Sequence, residues 1–479
     1  MTPWLSLLLV AFLDESAARG AGGTAPIVLP KLAPEITRQE VEAHVRFLAS
    51  DELGGRVTGT PGCERAAEYI AAVLRAQGAA PAGDGGTFFQ DVALERVRLA
   101  AAPRLTFIAA DGVRTELAHG TDFDAPWTAV AAEGLRLVVV RTEAEVPSAA
   151  ARDVALFVDA SASDRRRWLA AAGHADGAGF GAILAPGSRR AGRPRDPAAL
   201  VGAYRRTGVA SEQGSLGVVR LHGPVLEALR ATPPAGVSLV VDASIEVARS
   251  ANVVARIPGR APRASARAVV ISAHYDHISH GPGQDGADRI YNGADDDASG
   301  VAAVLEIAGA LGQGGELEHD VIVLLATAEE IGLLGTEEYL DRPVVPLERT
   351  ILNLNFEMVG RPDEKVGGPG VLWLTGDERT NLGAFLRERG LRVAADPRPE
   401  QNFFERSDNY AFVRRGVIGQ TLSSYGLHAD YHRPSDEADT LDYEHLAAAA
   451  RTGEKAVRLV AEGAVALAWA SGKSPAAPR

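Results

Sequence analysis

From residue 252 onward the apolar residues fall into short unbroken runs that alternate with helical stripes. Val269–Ala273 and Val321–Ala326 are continuous apolar runs, the pattern of strands buried on both faces. Ile351–Phe356, Val371–Leu374 and Val417–Leu422 predict further strands. Ser299 to Leu311 places Val301, Val304, Leu305, Ala308 and Leu311 on one side of a helix. Leu382 to Arg389 predicts a helix closed by Gly390, Ser407 to Arg415 a short one, and Tyr443 to Trp469 a long Ala-rich one. Strands alternating with helices imply an α/β fold: a mostly parallel sheet with helices on both faces. Ligands bind such sheets at the carboxyl ends of their strands.

The earlier chain reads differently. Residues 31–95 form a helical lead-in. Val41, Val45, Phe47 and Leu48 recur at helical spacing within Ile36–Ser50, and Ala67, Ile70, Val73 and Leu74 within Glu64–Gln77, where Gly78 stops the helix. A Gly-rich turn, Leu53–Gly62, lies between. Residues 96–250 carry short apolar runs (Leu135–Val140, Val154–Val158, Gly181–Leu184, Val237–Val241) separated by Gly, Pro, Arg and Ala. They read as a strand-rich inserted domain with one helix, Asp164–Ala172, and an exposed loop at 187–196. The regular α/β segment then spans 251–470, and 471–479 reads as a disordered tail.

Trp4–Leu13 is an apolar run too short to span a bilayer. With the small residues after it, the run reads as the core of a signal peptide covering 1–22, which implies export to the periplasm or medium without stable membrane insertion. Formal charge is −13. That balance argues against nucleic acid as a partner, since phosphate binding needs a basic patch. Cys63 is the single cysteine, so no intrachain disulfide and no thiolate zinc site can form. A metal would have to be held by His, Asp and Glu.

Such residues cluster after the predicted strands. His274-Tyr-Asp276-His277 follows the first. Asn292-Gly-Ala-Asp295-Asp296-Asp297-Ala-Ser299 leads into the first helix. Glu329-Glu330 follows the second strand, Glu357 the third, and Tyr431-His432 lies far downstream. Mixed His and carboxylate donors suit zinc better than magnesium or calcium, which prefer all-oxygen shells. Five ligands with one shared carboxylate would fill two adjacent metal positions. Two metals can clamp both oxygens of a hydrolysis. Spacing alone does not separate Asp295, Asp296 and Asp297 as the shared group.

The segments SAHYDHI, NGADDDASG, ATAEEIGLLG, NFEMVGR and YHRPSDEADTLDYEHL resemble the co-catalytic zinc aminopeptidases of peptidase family M28. That group includes the aminopeptidase Y, aminopeptidase S and glutamate carboxypeptidase types. The resemblance covers about 252–465, and LASDELGGRVTGTPGCERAAEYI is similar to the family's N-terminal segment. The insert sits where some members carry a protease-associated domain. By position, the resemblance implies two Zn2+, with His274, Glu357 and Asp296 at one and Glu330, His432 and the bridging Asp296 at the other. It implies Glu329 as general base, Asp276 as the carboxylate orienting His274, and Tyr431 as a group polarising the scissile carbonyl. It also implies a cis peptide bond between Asp296 and Asp297. Many members have Asp where Glu357 stands. His277, His280 and His428 match no ligand position. The implied activity is removal of N-terminal residues from peptides. A one-zinc glutaminyl cyclase type enzyme and a non-catalytic receptor-like protein are the alternatives on the same fold.

Overall fold

The computed structural model describes residues 27–125, 129–174, 179–187, 201–207, 218–262, 265–278 and 288–475. The segment read as a signal peptide and residues 188–196 of the expected loop at 187–196 lie outside them, as does the end of the tail, 476–479. The chain forms two compact units. One comprises the chain up to Val92 and from Arg249 onward, and the other is Ala93–Ala248.

In the first unit the central strands are Ala268–His274, Asp320–Ala326 and Thr350–Phe356, every residue of them buried. Ala268–His274 pairs in parallel with both others, and Thr350–Phe356 pairs in parallel with Gly419–Ser423. The sheet is mixed at its flanks. Leu372–Leu374 runs antiparallel to Gly419–Ser423, and Ala243–Ile257 antiparallel to Asp320–Ala326. Neither Ala243–Ile257 nor the short strand Val393–Ala395 is announced by the apolar runs.

Period-two alternation sends neighbouring strand residues to opposite faces. Val269, Ile271, Val321, Val323 and Leu325 join one core with helices Arg38–Leu48, Pro61–Ala76, Gly300–Gln313 and Tyr443–Ala461. Val270, Ile322 and Leu324 join a second core with Tyr339, Leu340, Ala411 and Phe412 of helices Leu334–Asp341 and Asp408–Arg414. The unbroken apolar runs are therefore strands covered on both faces. Gly453 lets the last long helix approach closely, since a Cβ there would meet Phe356 at 2.4 Å and Ile307 at 2.8 Å.

That last helix is shorter than its sequence pattern. It stops at Ala461 rather than Trp469, because Gly463 turns the chain into the left-handed region at φ 76°. Among the described residues no helix is long and apolar enough to cross a membrane.

The second unit is built on an eight-stranded sheet with Val154–Val158 fully buried within it. The expected helix is present as Ala162–Ala171, and a further helix, Gly223–Ala231, starts with Pro224 in its first turn. Proline at that position costs no hydrogen bond, so here it begins a helix rather than breaking one.

Candidate metal centre

The sheet delivers the site residues at its carboxyl edge. His274 is the last residue of its strand. Glu329 and Glu330 follow Asp320–Ala326, and Glu357 follows Thr350–Phe356. Asp296 lies in the irregular turn Ala294–Ser299 that feeds helix Gly300–Gln313. His432 comes from the loop after Gly419–Ser423. His274, Asp296, Glu329, Glu330, Glu357 and Tyr431 line one groove.

Hydrogen bonding separates the three consecutive aspartates. Asp295 accepts from the Gly360 N–H at 2.8 Å and meets His428 Nε2 at 2.9 Å. Asp297 accepts from the N–H groups of Gly300 and Met358 at 3.1 and 3.0 Å. Both tie the turn to its surroundings. Asp296 instead divides its carboxylate. Oδ1 lies 3.3 Å from His274 Nε2, and Oδ2 lies 3.1 Å from His432 Nε2. Its backbone N–H donates to Asp436 at 3.1 Å, and the Asp296–Asp297 peptide bond is cis. Burial opposes its ionisation, but the contacts with His274 and His432 hold the carboxyl well below the usual range.

His274 presents Nε2 to the groove because Nδ1 is engaged behind it. Nδ1 lies 3.1 Å from the Asp276 carbonyl oxygen, which suits an N–H there and a lone pair on Nε2. The Asp276 carboxylate stands farther off, at 3.9 Å. It accepts from Thr58 Oγ1 and from the Glu329 N–H, each at 3.0 Å. Asp276 thus meets His274 through its backbone and holds the Glu329 segment through its side chain. Ala328, Met358 and His432 are non-glycine residues at positive φ, 59°, 51° and 55°. Such backbone persists where surrounding structure enforces it, and it clusters at functional sites.

Residues 252–457 match the profile of Peptidase family M28. This segment belongs to peptidase family M28. A probable lipoprotein aminopeptidase of Mycobacterium tuberculosis is 29% identical over 212 residues, 37% of this chain and 39% of that one. Leucine aminopeptidase 2 of Trichophyton equinum is 29% identical over 206 residues, 42% of this chain and 39% of that one. The chain thus spans about two fifths of the length of these curated relatives. Among solved structures, an aminopeptidase from Aneurinibacillus sp. strain AM-1 superposes with a TM-score of 0.60 at 20% identity, covering 89% of this chain and 94% of that one. BSAP, a zinc aminopeptidase from Bacillus subtilis, gives 0.51 at 18% identity, covering 91% and 98%. At these identities the two structures establish a shared fold.

The M28 segment's donor set fits a divalent metal. Glu330 Oε1 and His432 Nε2 lie 3.4 Å apart, and neither atom has a hydrogen-bond partner. Among the described residues no Lys or Arg forms an ion pair with Asp296, Glu329, Glu330 or Glu357. Burial and the neighbouring charges of Asp296 and Asp408 push the Glu357 carboxyl up to about 7. Burial, joined by Glu330 and Glu357, holds Glu329 well above its usual range. Crowded carboxylates of this kind need cations.

Tyr431 lines the groove, its ring stacked on that of His432 at 3.9 Å, and burial raises its hydroxyl pKa. An adjoining cavity is walled by Trp373, Phe403, Tyr425 and Tyr431 with Glu357 at its edge. His280 lies outside the described residues. Sequence reasoning passed over Arg56 altogether. Its guanidinium is fully buried and donates to the carbonyl oxygens of Tyr275, Leu48, Asn292 and Gly293 at 2.8, 2.6, 2.6 and 3.0 Å. It fastens the loop ahead of Asp296 to the segment after His274. Its one sequence signal was its place behind Gly54 and Gly55, both at positive φ.

Proposed function

We propose that the chain is a zinc-dependent exopeptidase that removes N-terminal residues from peptides. The observation that supports this most is the divided Asp296 carboxylate, with a histidine on each side and Glu329, Glu330 and Glu357 in the same groove. His274, Asp296 and Glu357 would hold one Zn2+, and Asp296, Glu330 and His432 a second. Bound there, zinc supplies Lewis acidity toward a carbonyl oxygen and lowers the pKa of water.

The chain's own groups do the rest. Glu329 takes a proton from the attacking water and returns one to the leaving amine. Asp276 fixes the Glu329 backbone, and Tyr431 reaches the scissile carbonyl from the other wall. Five carboxylates line the groove, and Glu405, which would hold no metal, favours a substrate with a free, positively charged α-amino group. The aromatic cavity beside Glu357 receives the first side chain.

Protein purified without chelator is expected to carry close to two zinc ions per chain by elemental analysis. It should cleave aminoacyl fluorogenic substrates with free N-termini and spare their acylated counterparts. Intact activity with metal near zero, or equal cleavage of blocked substrates, would refute the reading.

The division of the chain after Val92 and before Arg249 supports assigning 31–95 and 251–470 to the peptidase and 96–250 to an insert. Export is part of the proposal, supported by Trp4–Leu13. The mature chain should then begin after Ser16 in mass spectra of native protein. A Met1 or Thr2 terminus in cytoplasmic fractions would exclude it.

A further inference from the structure

We propose that His277 is a direct ligand at the metal position formed by Asp296, Glu330 and His432, so that four side chains close that position. The inference rests on the two-metal reading and adds a residue that the family resemblance leaves out.

The His277 side chain is fully buried. Its Nδ1 lies 2.8 Å from Glu330 Oε1 and 3.9 Å from Asp296 Oδ2. The shorter distance would suit a hydrogen bond, but the orientation does not. Neither His277 ring nitrogen has a hydrogen-bond partner, and Glu330 Oε1 and His432 Nε2 have none either. Leaving buried donors and acceptors unpaired is costly and uncommon in folded proteins. Donors that crowd together without pointing at one another are aimed at a shared centre. Zinc bonds of about 2.0–2.2 Å in a tetrahedral shell set neighbouring donors roughly 3.3–3.6 Å apart. The contacts among His277, Asp296, Glu330 and His432 (2.8, 3.1, 3.4 and 3.9 Å) scatter around that value.

The ring has little freedom to turn away. The His277 backbone N–H donates to the Arg56 carbonyl at 3.3 Å, and His277 forms a strand-like bridge with Val57. Gly293 lies against the ring so closely that a Cβ there would come within 2.7 Å of it. The His432 ring meets it edge-on at 5.6 Å. The other metal position has three donors, His274, Asp296 and Glu357. Closed four-ligand positions retain metal, whereas three-ligand positions keep a place for substrate or water. The two positions are therefore inequivalent, and His277 marks the retentive one.

The test uses the full chain loaded with Zn2+ or Co2+. Competition with a chromophoric chelator should resolve a tighter and a weaker ion in the wild type. His277→Ala should weaken the tighter one by roughly a hundredfold or more, beyond the 10–100-fold usual for a group behind the ligands. It should also alter the visible absorption of the first Co2+ equivalent. His277→Gln keeps a donor toward Glu330 but no imidazole, and guards against a misfolded alanine variant. Gln affinity and spectrum close to wild type would mean that His277 merely positions Glu330, overturning the ligand assignment. Two ions bound normally by His277→Ala would overturn it as well, leaving the proposed function standing. A wild-type protein that binds no metal would overturn both.

Discussion

Glu329→Gln is expected to lower kcat by roughly 10²–10⁴-fold, the usual worth of a positioned general base, while fold and metal content stay at wild-type values. The substitution is isosteric and leaves the backbone anchor intact, since Glu329 N–H, not its side chain, donates to Asp276. Glu330→Gln should do the opposite. Its Oε1 sits among His277, His432 and Asp296, so the variant should lose metal first and activity as a consequence. Metal analysis beside steady-state kinetics separates the two. Near-normal turnover in Glu329→Gln would remove the general-base assignment.

The second large effect is on stability. Arg56→Met fills much of the same volume with apolar atoms but leaves the carbonyls of Leu48, Tyr275 and Asn292 without the guanidinium donor, and that of Gly293 with only the Ala298 N–H. An unsatisfied buried acceptor costs about 1–3 kcal/mol, so a loss on the order of 4 kcal/mol or more is expected. The guanidinium also faces the carboxylates of Asp296, Asp276 and Asp436, whose attraction works against the burial that lowers its pKa. Removing it loosens the loop carrying Asp296, and metal affinity should fall together with Tm. Arg56→Lys keeps the charge but cannot span four acceptors, and should lie between the two. A Tm within a degree or two of wild type for Arg56→Met would refute this.

The doubly buried strands were legible because burial on both faces removes the polar alternation that other strands keep. The candidate site residues were legible as clusters after those strands. Which of Asp295, Asp296 and Asp297 faces both His274 and His432 was not legible from spacing, because all three are buried carboxylates in one turn. Only their partners differ, and those come from Gly360, Met358, His428 and His432, distant in sequence. His277 was set aside because it matches no ligand position of the resembled family. Arg56 was passed over because it lies in a glycine-rich turn without hydrophobic periodicity, and the carbonyls it reaches at Tyr275, Asn292 and Gly293 are distant in sequence. Gly223–Ala231, with Pro224 in its first turn, was not among the expected helices, because the insert was read from its short apolar runs as strand-rich.

The acceptors that Arg56 reaches at Tyr275, Asn292 and Gly293 lie 219, 236 and 237 residues along the chain. Closing so long a loop is thermodynamically cheap, since each doubling of length adds only about 0.6 kcal/mol. A compact unit of its own can therefore occupy the interval with little effect on equilibrium stability. The burden falls on time instead. At the usual rate of synthesis the interval amounts to roughly 10–50 s. Until it ends, Val41, Val45, Ile70 and Leu74, all buried in the finished molecule, have no sheet to cover them. The nascent chain, rather than the completed protein, is then the form most open to self-association.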